Sequence, residues 1–374
     1  MNKFNACRLA AAVLAAAAAF GTANAAEVTV YGRMDTGISI SEPSRSGENG
    51  SVQMKSGIFA GSRFGILTQE TLTDSLRVVV KLENAFDSST GEWNSTSTNR
   101  LFGRESSLSL VHDDYGTLAF GRIGTVTGGM GSYSSLDWYE PFETGFTDAS
   151  LVGTWADLGT VDKSILYMTP RVAGFNAKFQ FAFTDSTLDG EGNNIYVPEW
   201  SKNARPWAAA FEYRGIPNLF VGAGVGGLVL ANTVENREKD DPLLVNFAIN
   251  YDFGFVKPFF AAQYSEHFSY ATGASAGEIS GDFKKMAYLV GVTAPAAGGT
   301  FRAEIQYLDG EEELSGEDYD KQIYSIGYTY PLSKRTLFYS ALSYAQGGGL
   351  IDKSNEKASA ENRTMLEFGI DHQF

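Results

Sequence analysis

Residues 28–40 sort into two sets by parity. Val28, Val30, Gly32, Met34, Thr36, Ile38 and Ile40 form one set; Thr29, Tyr31, Arg33, Asp35, Gly37 and Ser39 form the other. Side chains alternate between the faces of a strand, so a period of two means a strand with one apolar and one polar side. Residues 75–86 repeat the pattern, with Leu76, Val78, Val80 and Leu82 set against Arg77, Val79, Lys81 and Glu83. Such runs continue to the last residue, and no amphipathic helix of normal length interrupts them. Tyr and Phe are frequent in them, as strand propensity and an aromatic belt at a membrane interface would both favour.

The first residues have a different pattern. Lys3 and Arg8 are basic, residues 9–20 are apolar, and Ala23-Asn24-Ala25 is a small-residue cleavage pattern. Together they predict a secretory signal peptide over residues 1–25, leaving 26–374 as the folded part. Cys7, the single cysteine, leaves with it, so a disulfide framework and a cysteine zinc site are excluded. Three histidines are few for a His-rich metal site. The chain carries 29 Lys+Arg against 44 Asp+Glu, a net charge of -15, and processing removes two of the basic residues. A nucleic-acid partner is excluded, because binding one needs a basic face. After Ala25 no apolar run is long enough for a spanning helix, which needs about 20 residues. Two classes remain: a soluble exported protein or a transmembrane β-barrel.

The links between strands decide between them. Short links fall at 69–74, 112–116, 170–174, 214–218, 252–254, 295–299 and 331–335, rich in the Gly, Pro, Asp and Asn that tight turns need. Longer polar links fall at 41–60, 84–103, 123–162, 185–205, 231–241, 269–282, 309–320 and 347–363. Seven short and eight long links predict an all-β fold, a 16-stranded antiparallel transmembrane barrel. Its short turns lie on the periplasmic side with both termini, and its long loops lie outside. Sixteen strands of 9–11 residues use roughly 150–180 residues, and loops take the rest. A soluble sandwich or propeller would explain the alternation but not the asymmetry of the links.

The last segment, Leu366-Glu367-Phe368-Gly369-Ile370-Asp371-His372-Gln373-Phe374, alternates and stops on Phe. It resembles the final strand of Gram-negative outer-membrane porins. Val28-Thr29-Val30-Tyr31-Gly32-Arg33-Met34-Asp35-Thr36-Gly37 is similar to the first strand of the betaproteobacterial-type trimeric general porins, and Gly61-Ser62-Arg63-Phe64-Gly65 to their second. Leu101-Phe102-Gly103-Arg104 and Gly116-Thr117-Leu118-Ala119-Phe120-Gly121-Arg122 resemble the fourth and fifth strands, and Asp162-Lys163-Ser164-Ile165-Leu166-Tyr167 the sixth. The resemblance spans the mature chain and is strongest up to about residue 185. It implies a homotrimer in the outer membrane of a Gram-negative bacterium, in contact with lipid and lipopolysaccharide. Such a barrel passes small hydrophilic solutes and ions passively and needs no cofactor. Phe374 would then be the signal read by the barrel-insertion machinery.

The resemblance also implies that the third long loop folds inward to narrow the pore. That loop carries Asp137-Trp138-Tyr139-Glu140-Pro141-Phe142-Glu143, so Asp137, Glu140 and Glu143 are the expected acids of the constriction. Arg63, Arg104 and Arg122 match the facing basic row. Alternation alone adds Arg77 and Lys81, and Arg33 replaces an aliphatic residue usual in the family. Strict alternation sets Arg104 and Arg122 in register with outward Leu108 and Phe120, but each follows a glycine where a bulge could reset the register. Lipid exposure at mid-membrane would cost an arginine about 2–4 kcal/mol.

Other features carry less. Glu311-Glu312-Glu313 with Glu317, Asp318 and Asp320, and Glu238-Lys239-Asp240-Asp241, read as solvated loops or as carboxylates bridged by divalent cations to lipopolysaccharide phosphates. Val221-Gly222-Ala223-Gly224-Val225-Gly226-Gly227 contains G-x-G-x-x-G, but strand continues where a nucleotide site needs a helix. Asn94-Ser95-Thr96 matches a glycosylation acceptor that a bacterial loop would not use. His112, His267 and His372 have no evident serine partner, so no enzyme is expected. A solute-specific channel, and a structural or adhesion barrel acting through its loops, remain as alternatives.

Overall fold

The structure is a computed structural model. It describes residues 27–43, 49–93, 100–183, 186–188, 194–196, 203–232, 240–270, 280–349 and 362–374. The expected signal peptide, the Asn94-Ser95-Thr96 acceptor and Glu238-Lys239 lie outside the described residues.

Sixteen strands form one closed antiparallel barrel. They are β1 Glu27–Pro43, β2 in two pieces (Ser51–Ser56 and Arg63–Thr73), β3 Leu76–Ala85, β4 Glu105–His112, β5 Gly116–Gly124, β6 Thr160–Met168, β7 Phe175–Ala182 and β8 Arg205–Tyr213. They continue with β9 Leu219–Val229, β10 Leu243–Tyr251, β11 Lys257–Tyr270, β12 Ser280–Ala296, β13 Gly299–Glu312, β14 Glu317–Pro331, β15 Thr336–Gly349 and β16 Arg363–Gln373. Each strand pairs with its chain neighbours, and β1 closes the circle against β16 from Arg33↔Gln373 to Pro43↔Arg363. Beyond the last strand, Gly32 and Phe374 exchange both backbone hydrogen bonds, at 2.9 and 3.0 Å. Closure matters because hydrocarbon offers no partner to a free strand edge.

Alternation holds around the wall. Val30, Phe64, Leu108, Phe120, Phe211, Phe247, Val290, Ile305, Ile326 and Ile370 are exposed on the outer face. Their neighbours Asp35, Ser107, Ser109, Lys178, Gln180, Asn246, Gln263, Gln306 and Glu367 are buried on the inner one. No helix is long and apolar enough to cross a membrane. Among the described residues the only helical turns are Leu136–Trp138 and Leu151–Gly153.

The links differ from the sequence reading in two places. Residues 309–320, expected as a long loop, are mostly strand. β13 and β14 pair out to Glu312↔Glu317, which leaves a turn of residues 313–316. The acidic run kept its alternation, with Tyr319 turned inward and buried, so a dense charge pattern concealed a strand. Within 41–60, Ser51–Ser56 returns to pair with the outer half of β1, while Arg63–Thr73 pairs with its first half. Between these pieces the chain dips into the barrel and buries Ile58 and Phe59.

The third outer link, residues 125–159, lies against inward-facing side chains. Asn246 Nδ2 donates to the Thr127 carbonyl, Asn250 Nδ2 to the Trp138 carbonyl, and Gln263 clasps both backbone groups of Ala156. Small residues make room for it. A Cβ on Gly222 would stand 2.7 Å from the Tyr139 ring, on Gly291 2.5 Å from Pro141, and on Gly327 2.7 Å from the Phe142 ring. The G-x-G-x-x-G segment is therefore part of the seat for this loop. Overpacking a filled site costs about 1–3 kcal/mol. Gly222→Val should lower the melting temperature of the folded barrel in detergent and displace Tyr139. The displacement should appear as an altered single-channel conductance.

Candidate pore constriction

One wall of the lumen is basic at its surface and acidic beneath. Arg33 and Arg63 are register partners on the inner face of β1 and β2, opposite in parity to the exposed Met34 and Phe64. Lys81 and Glu83 follow on β3, and Glu105 opens β4. Glu83 gathers the group. Arg104 Nε donates to its Oε1 at 2.8 Å, Tyr31 OH donates to its Oε2 at 2.9 Å, Lys81 Nζ lies 3.5 Å away and Arg63 Nε 3.8 Å. Lys81 also reaches Glu105 at 3.1 Å. The side chains of Glu83 and Glu105 are 6% and 1% exposed, whereas those of Arg63, Lys81 and Arg104 are 25%, 20% and 18%. A solute in the lumen therefore meets ammonium and guanidinium groups, with the carboxylates behind them. Arg33 extends the patch, held by Asp371 at 2.6 Å and lying 5.6 Å from the centroid of the Phe59 ring.

Not every expected arginine joins this wall. Arg104 does, because β4 begins only at Glu105; the residue before it is free to turn in, and its backbone N–H donates to the Glu83 carbonyl. Arg122 does not. It is the register partner of Ser106, on the parity of outward Leu108 and Phe120. The bulge lies on the neighbouring strand β6, where Asp162 and Lys163 fall between the partners of Gly121 and Ile123. Arg122 pairs there with Asp162 at 2.8 Å, beside Arg100, and donates to the Gly103 carbonyl. Arg77 faces inward but pairs with exposed Asp113 beside a short turn, away from the Glu83 group.

The loop acids divide as well. Glu143 is 52% exposed at the side chain and binds Arg302 of β13 at 2.9 Å. Glu140 is buried, 1% exposed, so it is not a lumen acid. Its carboxylate accepts the backbone N–H groups of Thr144 at 2.7 Å and Leu151 at 2.8 Å and shapes the loop from within. Asp137 belongs to the turn Leu136–Trp138, and its side chain lies outside the description.

Anchors unread in the sequence hold the loop in place. Asp35 accepts the backbone N–H groups of Phe59 and Ala60 and the Tyr339 hydroxyl, the last at 2.5 Å. Phe59, Phe142, Phe146 and Tyr339 stack into one aromatic cluster. Phe146 N–H donates to the Ile58 carbonyl at 2.6 Å. Asp148 accepts two hydrogen bonds from Arg363, both at 2.5 Å. Burial alone would raise the Asp148 carboxyl. The bonds and charge of Arg363, aided by Lys321 and Lys55, hold it below the usual range. Arg214 lies 3.9 Å over the Trp138 ring, and Glu212 beneath it binds Lys178 at 2.5 Å and Arg171 at 3.2 Å. Among these the sequence signalled the parity of Asp35, which shares the polar face of its strand with Arg33.

A family model described as Gram-negative porin matches residues 10–350. An outer membrane porin protein of Bordetella pertussis is 29% identical over 97% of this chain and 99% of its own length. Among solved structures, an anion-selective porin from Comamonas acidovorans superposes with TM-score 0.67 at 21% identity, covering 94% of this chain and 100% of that one. The trimer form of OmpT from Vibrio cholerae superposes with TM-score 0.58 at 16% identity, covering 94% and 100%.

A depressed carboxylate contributes stability above its unfolded pKa, about 3.9 for Asp, and loses that contribution as pH falls through its lower folded value. Seating of the loop by Asp148 should thus persist from neutral pH to about pH 4. Asp148→Asn should remove it at every pH, at a cost of about 1.5–3 kcal/mol for a charged hydrogen-bonded pair. In planar bilayers the variant should show flicker at pH 7 that the parent shows only in strong acid.

Proposed function

The chain belongs to the Gram-negative porin family and forms an outer-membrane channel for passive diffusion, and we propose that its selectivity is set where the Arg63, Lys81 and Arg104 wall meets the third loop. The observation that carries this reading is the layering of that wall, with the cations more exposed than the carboxylates that pair with them. On the third loop, Glu143 supplies a charge of opposite sign, tied down by Arg302. Fixed charges of opposite sign across a narrow aqueous gap make a transverse field that orients ions and zwitterions, and rings of charge tune selectivity in other pores. The carboxylates lie deeper than the cations they pair with, so the wall favours anions although the chain as a whole is acidic.

Four further assignments belong to this reading. A homotrimer is supported by the trimer form of the Vibrio OmpT. Phe374 serves as the terminal insertion signal; its ring lies over Gly32, where a Cβ would stand 2.2 Å from the ring, so the last residue is tied to the first strand. Residues 1–25 act as the export signal, and relatives that are channels support a non-catalytic role.

Reversal-potential measurements test the constriction. Arg63→Ser with Arg104→Ser should shift the potential toward cation preference, while Arg122→Gln, on the outer face, should leave it unchanged. An unshifted double variant, or an equal shift from Arg122→Gln, would refute the assignment. Conductance should rise linearly with salt and should not saturate with any sugar; saturation by one solute class would favour a specific channel.

A further inference from the structure

At the outer rim, away from the conducting wall, three strand ends bring one nitrogen and two oxygens together. His267 comes from β11, Asp282 from β12, and Glu313 from the turn between β13 and β14. One ligand atom from each lies within 4.8 Å of the other two. We propose that His267, Asp282 and Glu313 bind a divalent transition-metal ion of the Zn²⁺ type at the cell-surface end of the barrel.

Distance and donor chemistry carry the assignment. A tetrahedral ion with bonds of about 2.0–2.1 Å holds its ligand atoms roughly 3.3 Å apart. His267 Nδ1 lies 3.2 Å from Asp282 Oδ1 and 3.1 Å from Glu313 Oε2, so two edges of the tetrahedron already have that length. One imidazole and two carboxylates leave a position open to solvent, and the nitrogen favours Zn²⁺ over hard cations, which prefer all-oxygen shells.

The two carboxylates are held by the barrel ladder itself. Glu313 N–H donates to the Asp282 carbonyl at 2.8 Å, and Asp282 N–H donates to Glu312 Oε1 at 3.1 Å. Glu312 Oε2 is fixed in turn by Ser315 N–H at 2.6 Å. His267 arrives through a register shift between Ser265 and Phe268 that interrupts the β11–β12 pairing beside the carboxylates. Among the described residues no other group of three or more such side chains meets the same distances. The rival for the same contacts is a protonated histidine paired with two acids and no metal.

Calorimetric titration of ZnCl₂ into the full-length folded protein in detergent separates the two. The parent should bind one zinc per chain, and His267→Gln, Asp282→Asn and Glu313→Gln should each weaken binding by at least about tenfold, the range lost when the support of a metal ligand is removed. Co²⁺ in place of Zn²⁺ should give the visible absorption of a low-coordinate site, and excess Ca²⁺ should not displace zinc. Zinc should raise the melting temperature of the parent and not of the variants. Heat-modifiable migration on gels checks that each variant is folded, and the rim position keeps these substitutions out of the membrane wall. No zinc binding by the parent would overturn the proposal. So would parental affinity in any of the three folded variants, or equal displacement by Ca²⁺.

Discussion

Everything in this fold depends on the rule that a backbone polar group in hydrocarbon must find its partner within the protein. Sixteen strands meet that rule only as a closed ring, so the first and last strands have to pair along the outer half of β1. Once the ring is closed, parity divides the wall. Outward positions are apolar because lipid is their solvent, and inward positions carry the Asn, Gln, Ser, Lys and Glu that line the lumen or hold the loop. The same ring leaves a lumen to be filled in part. The third loop fills it with backbone, and inward glycines on β9, β12 and β14 let that backbone approach.

The charges follow from this arrangement. The acidic excess of the chain gives no measure of what a solute meets, because location decides. Glu83 and Glu105 are acids that the lumen hardly sees, whereas Glu311, Glu317 and Asp318 stand on a hairpin at the outer end. Glu140 spends its charge on the inside of the loop, where two backbone N–H groups would otherwise go without a partner in a buried turn.

How much was legible depended on how local the cause was. Strand parity is local, and Arg33, Arg77 and Lys81 stand on the inner parity that alternation predicts, with Arg63, expected from the family resemblance, as the register partner of Arg33. Arg104 and Arg122 look alike in sequence, each after a glycine, yet they separate. One precedes its strand and turns in; the other is fixed outward because the bulge is on its partner strand. No pattern within β5 carries that information. The anchors of the loop are less local still: Asp148 meets Arg363 across 215 positions and Tyr339 meets Asp35 across 304. Such pairs become visible only once the ring is closed. The Glu311–Asp320 run is hidden for the opposite reason, since a strand whose outward side chains are acidic loses the apolar half of its signature.

Part of the seat of the third loop lies at the seam where the two ends of the chain meet. Its backbone and side chains are gripped by Ile58 from the gap in β2, by Tyr339 of β15, and by Arg363 and Glu367 of β16. Asp35, on β1, reaches Tyr339 only when the two ends of the chain have come together. Opening the seam would therefore take away this part of the hold on the loop, while its contacts with Asn246, Gln263 and Arg302 remain. The closure that completes the wall also completes the grip on the segment that fills it.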